Sequence, residues 1–368
     1  MSRKRRSRGD RAQAQSIVHL LNSTPTIRRA GVRNSTRKIT AKGYQQFLEI
    51  IGDPKDNSVP PGVLDTVQFE YSCSRERFEV QMQTPIHSGM QELFDKSIRE
   101  WQESLRKSSD TRISDIAETF SPVAGRGIKF SKDTETLETK APNLEIRHTC
   151  KRGVDHRCYY PTLVLEVGWT QTKEQLREKA EGYINHSNGQ IRTVVAVDMH
   201  KMYLAEQKNE HRLKQMNYHN SLKDTSKPYS YSEDESNETG SASILVWRAK
   251  KEKGALEIGN TIEETFRDSQ GKAVQSGLLR IPLHDFICVD MASFYEGKLE
   301  APLLEISSNR LCEGIQNMLK KYREQRGMTV RDTVQHQKRK NIKKKVKEEE
   351  QLRKDEEARI REAGDWKF

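Results

Sequence analysis

Apolar positions recur along this chain in two periods, and the switches between them mark out its elements. Leu93, Phe94, Ile98, Trp101 and Leu105 fall at helical spacing, which predicts an amphipathic helix over 90–107 with Ser88 as its N-cap. Shorter alternating stretches predict strands: 63–70 and 78–83 read as a hairpin, with further short strands at 113–120, 128–130 and 144–147. Residues 162–167 and 191–199 are apolar almost throughout, the pattern of strands covered on both faces. Between them, 172–186 carries Leu176, Ala180, Tyr183 and Ile184 on one side of a helix. Strand, helix and strand in this order predict a parallel βαβ crossover. Residues 243–248 resume the sheet and 278–283 add an edge strand; Trp101, Trp247 and Tyr183 are expected packing residues.

The remaining stretches are polar. Residues 1–42 are expected to be a disordered basic tail, followed by a short helix at 44–51. A disordered insertion is expected at about 208–240, and a charged helix from Gly314 to the end, residues 314–368. The fold expected is therefore α/β, a mixed-sheet core over 60–310 flanked by helices and solvated segments. With 33% hydrophobic and 32% charged residues, the chain is too polar for one globule of 368 residues. The apolar runs are too short to cross a bilayer, so no membrane partner is expected. The basic N-terminus lacks the apolar stretch of a secretory signal. Five cysteines, an odd number, then read as reduced thiols in an intracellular protein.

Residues 1–42 carry twelve Lys/Arg and a single acid, Asp10, which accounts for the whole net charge of +11. A cationic arm is drawn to phosphate backbones by counterion release. Arg3, Lys4, Arg5, Arg6 and Arg8 are the expected nucleic-acid contacts, and the same run reads as a nuclear-import signal. Residues 338–347 form a second basic patch. No phosphate-binding glycine loop, dinucleotide fingerprint or nucleophile elbow is present in the sequence.

The candidate chemistry lies in two acid-bearing strands. Residues two apart on a strand share a face, so Asn143 aligns with Glu145, and Glu166 with Gly168. If the strands are neighbours, Glu145 and Glu166 could hold Mg²⁺, with Glu92 on the preceding helix as a third carboxylate. The segments His87-Ser88-Gly89-Met90, Pro142-Asn143, Pro161-Thr162-Leu163-Val164-Leu165-Glu166-Val167-Gly168 and Leu176 to Tyr183 are arranged as helix, strand, strand, helix, strand. That order resembles the PD-(D/E)XK restriction-endonuclease-like superfamily, and more closely a set of fungal members of that fold whose function is uncharacterised. The resemblance covers about residues 63–250. It implies a Mg²⁺-dependent phosphodiester hydrolase centre in which Asn143 stands at the first metal-binding acid, Glu166 at the second, and Gly168 at the water-activating lysine. In an active version Glu145 and Glu166 would hold the ion, Asn143 would orient water, and Lys173 or Lys179 would supply the displaced positive charge. With two key positions altered, the function expected is an impaired or atypical nuclease-like protein that binds nucleic acid. The alternative is a non-enzymatic nuclear scaffold with an inert core.

Two His-x-Cys pairs, His148/Cys150 and His156/Cys158, flank a turn. Four such donors could in principle meet on zinc, but one intervening residue matches no zinc module, and zinc is not expected.

Overall fold

A computed structural model describes residues 2–22, 34–52, 59, 67–125, 127–130, 138–150, 158–221, 239–252, 255–295, 302–324, 348–351 and 353. The chain divides into two compact units, Met1–Met318 and Leu319–Phe368. Of the expected C-terminal helix, residues 314–318 of the first unit and 319–324, 348–351 and 353 of the second are helical; residues 325–347, with the basic patch at 338–347, 352 and 354–368 lie outside the described residues.

The first unit holds α1 (Ser2–Asn22), β1 (Asn34–Lys38), α2 (Ala41–Gly52), β2 (Val67–Ser72), β3 (Arg77–Met82), α3 (Pro85–Arg106) and α4 (Thr111–Ala117). It continues with β4 (Phe120–Ala124), β5 (Ile128–Lys129), β6 (Glu138–Lys140), β7 (Leu144–His148), β8 (Leu163–Gly168), α5 (Lys173–His186), β9 (Thr193–Asp198) and α6 (His200–Ser221). Then come β10 (Ala242–Glu252), β11 (Ala255–Arg267), β12 (Leu278–Pro282), α7 (Val289–Phe294) and β13 (Leu303–Ser307).

The central sheet runs β11-β10-β9-β8-β7-β4. β4, β7 and β8 are successively antiparallel, and β8 pairs with β9 in parallel. Every residue of β8 is buried, so both faces of the strand are covered, as its unbroken apolar run predicts. α5 makes the crossover to β9. Its Leu176, Ala180, Tyr183 and Ile184 pack with Val164, Val194, Ala196, Leu245 and Trp247 of the sheet. Thr172 caps this helix by accepting from Gln175 N, and the Gln175 side chain returns the bond to Thr172 N at 3.0 Å.

Several expectations fail for identifiable reasons. Within the expected tail 1–42, the described residues 2–22 and 34–42 are ordered elements. α1 places Ala14, Ile17 and Leu21 in a second core with Tyr44, Phe47, Tyr71 and Phe78, and β1 pairs with β3 in a five-stranded sheet ordered β1-β3-β2-β6-β5. Each aliphatic side chain buried this way contributes roughly 1.5–3 kcal/mol, enough to dock a helix whose average composition is polar. Residues 113–117 form a helix, not a strand, because Asp110 caps it by accepting from Arg112 N at 3.0 Å. α3 begins near Pro85, five residues before the expected start. There Thr84 is the N-cap, and its N–H donates to His87 Nδ1 at 3.3 Å. The expected insertion at 208–240 begins as the continuation of α6, and residues 222–238 lie outside the described residues.

Candidate functional site

The two acid-bearing strands are neighbours, with Leu144 opposite Leu165 and Glu145 opposite Val164. Continuing that register sets Asn143 opposite Glu166, so Asn143, Glu145 and Glu166 share the face covered by α5. Asn143 does not reach toward solvent. The β7–β8 ladder ends beside it, and its Oδ1 accepts from Val167 N at 2.7 Å, satisfying a buried backbone donor. The residue at the expected metal position is thus a latch between strands, 3% exposed.

Glu166 is 2% exposed and fully engaged by α5. Lys179 Nζ lies 3.1 Å from its Oε2, and the Tyr183 hydroxyl donates to its Oε1 at 2.6 Å. Lys179 also reaches Glu70 Oε1 on β2 at 2.9 Å, so one ammonium bridges two carboxylates. Lys179 and Tyr183 are one helical turn apart, which brings both side chains over the same strand. Burial pulls the Lys179 ammonium down, but the charges of Glu166 and Glu70 outweigh it and hold the group protonated, above its ordinary value. Burial pushes the Glu166 carboxyl up, against the pull of Lys179, and Glu70 adds to the rise. Burial likewise raises the Tyr183 phenol, reinforced by Glu166, Glu70 and Glu145.

Gly168 has a steric cause. A Cβ there would sit 2.5 Å from Leu176 Cδ1, so a side chain at 168 requires the buried Leu176 side chain to move. The cation beside Glu166 is Lys179, on the helix itself.

The other expected residues do not join this ion link. Glu145 is completely buried and paired with Arg147, whose Nη2 lies 2.7 Å from Oε2. Lys173 is at the exposed start of α5 and pairs with Glu263 of β11, away from Glu166. Glu92 is exposed on α3. The backbone of Arg3 to Arg8 lies in α1. Glu70 and Tyr183 are the site residues that sequence reasoning missed. Tyr183 carried a signal, its place one turn beyond Lys179; Glu70 carried none, since its role depends on a separate sheet. A cleft of about 530 Å³ opens over this region, lined by Glu70, Arg75, Glu138, Lys140, Lys179 and His186 among others.

Among the described residues, only His148, Cys150 and Cys288 form a group of three or more His, Cys, Asp or Glu side chains placed to share a metal ion. The acids near Glu166 do not. The chain matches no family model, no curated protein and no solved structure.

Proposed function

We propose that this chain is a restriction-endonuclease-like protein whose hydrolytic centre has become an internal ion link, and that it binds nucleic-acid backbones without cutting them. The observation that carries the reading is Lys179, held between Glu70 and Glu166 at 2.9 and 3.1 Å. An ammonium there neutralises the charge that a divalent cation needs, and Asn143 supplies no charge of its own. The order α3, β4, β7, β8, α5, β9, with its last two strands parallel, is the order the resemblance calls for and supports that reading. The basic residues Arg3, Lys4, Arg5, Arg6 and Arg8 fall within one helix, and such a segment draws phosphate by counterion release. The same segment would serve as the nuclear address.

The test is incubation of the purified full chain with DNA or RNA and Mg²⁺ or Mn²⁺, beside Glu166→Ala. The expected result is a mobility shift at low salt and intact nucleic acid with both proteins. Cleavage by the wild-type chain that disappears in Glu166→Ala would overturn the reading.

A further inference from the structure

The geometry points to a structural zinc site formed by His148, Cys150, Cys158 and Cys288. It is independent of the Glu166 link, lying at the opposite end of β7. His148 is five residues beyond Asn143, roughly 16 Å along an extended strand.

One ligand atom from each of His148, Cys150 and Cys288 lies within 4.8 Å of the others. The Cys158 thiol lies 3.4 Å from His148 Nδ1, and its electrostatic neighbours are Cys288 and Cys150. Tetrahedral zinc with Zn–N and Zn–S bonds of about 2.0 and 2.3 Å has N···S and S···S edges of roughly 3.6 and 3.8 Å. The His148–Cys158 separation already meets the first; Cys158 stands beside the trio of His148, Cys150 and Cys288 and would turn toward the two other thiols to complete the shell. Three thiols and an imidazole are a soft donor set that suits zinc and not Mg²⁺. Four protein ligands would close the coordination shell, the form of a structural site and not a catalytic one.

Two of the ligands, His148 and Cys288, stand on elements held by contacts of their own. His148 is in the β4–β7 ladder opposite Phe120. Cys288 is the N-cap of α7, and the turn before it is anchored four ways. Asp285 pairs with Arg248 at 2.9 Å, Thr162 Oγ1 donates to Phe286 O at 3.0 Å, Arg192 donates to His284 O at 2.9 Å, and the Phe286 ring packs on Trp101. Cys288 comes from well over a hundred residues away, which is why local spacing gave no zinc pattern; His156, the further donor that the spacing offered, lies outside the described residues. On binding, each thiol releases its proton to solvent and the thiolates take the ion. The ion would then cross-link the end of β7 to the start of α7.

The experiment is elemental analysis of untagged full-length chain after gel filtration in metal-depleted buffer, followed by Co²⁺ titration of the zinc-stripped protein. The expected result is about one zinc per chain and a cobalt spectrum with thiolate charge-transfer bands and intense tetrahedral d–d bands. Cys158→Ser and Cys288→Ser should each lose bound zinc or shift the cobalt spectrum. Cys73→Ser and Cys312→Ser, which change thiols elsewhere, should retain both. If the serine variants fail to fold, the wild-type cobalt spectrum decides alone. A folded wild-type chain without zinc and without thiolate–cobalt bands would overturn the assignment. So would a Cys158–Cys288 disulfide in anaerobically purified protein, or unchanged zinc and cobalt spectra in Cys288→Ser.

Discussion

Replacing Lys179 with Met removes the ammonium that contacts both Glu70 and Glu166, leaving Lys140 as a neighbouring cation, while keeping most of the side-chain volume. Lys179 and Glu166 are 8% and 2% exposed, so water does not replace the lost partner. Removing one member of such a buried pair costs about 3–5 kcal/mol, because a charge is left uncompensated. That corresponds to a fall in Tm on the order of 10 °C. Part of the loss is recoverable by protonation. The Glu166 carboxyl is already raised by burial, so its stabilising contribution is full below the ordinary glutamate range and is lost as pH rises through the raised value. The deficit of Lys179→Met should therefore be larger at pH 8 than at pH 5. Glu166→Gln in the same chain removes the stranded charge and still accepts from Tyr183. The double variant should then be less destabilised than the sum of the single ones, by roughly 0.5–3 kcal/mol. Urea unfolding followed by fluorescence of the buried Trp169 and Trp247 measures all four proteins. A cost under about 1 kcal/mol for Lys179→Met, or strict additivity, would show that the link does not form in solution.

Gly168→Lys, which places a cation at the resembled position, should lower stability by about 1–3 kcal/mol through displacement of Leu176, and should bring no hydrolysis; an unchanged Tm would show that Leu176 shifts at no cost. Alanine at Arg3, Lys4, Arg5, Arg6 and Arg8 together should weaken DNA binding and flatten its dependence on salt by up to about 4–5 in log–log slope; unchanged binding would place the contacts elsewhere. Deleting residues 1–42 should unfold the smaller sheet as well, because Ile17, Leu21 and Ile39 belong to its core; a deletion ending at Arg8 should leave thermal unfolding unaltered. Tyr44, buried against Tyr71, has its phenol raised to about 12 by burial, against the pull of its Thr139 hydrogen bond. Its stabilisation is full below about pH 10 and is lost as pH rises toward 12, roughly 3 kcal/mol in all. Tyr44→Phe should shrink that alkaline loss, and an equal loss in both proteins would refute the assignment.

The legible parts of the fold were those specified locally. β8, β9 and α5 followed from unbroken apolar runs and a clean helical stripe, and the shared face of Asn143 and Glu145 followed from strand alternation, whereas the pairing of their strand with that of Glu166 was only a condition there and came from the structure. Lys179 was visible as a residue able to reach back from α5, but its selection over Lys173 was not. That choice depends on the face of α5 that turns inward, and the exposed end of the helix gives Lys173 to Glu263 instead. α1 was missed because Arg and Lys dominate its first half, while Ala14, Ile17 and Leu21 mark only its second. The helix at 111–117 was missed because Ile113 and Ile116 suit either period and the Asp110 cap decides between them. Glu70 and Cys288 could not be read at all, since each acquires its neighbours only through long-range assembly.

The central claim is that Lys179 occupies the electrostatic position a divalent cation would need, and Mn²⁺ titration of the full chain monitored by electron paramagnetic resonance tests it most directly. The account predicts no stoichiometric Mn²⁺ site in the wild-type chain at millimolar concentration. A site of one ion per chain that vanishes in Glu166→Gln would contradict it.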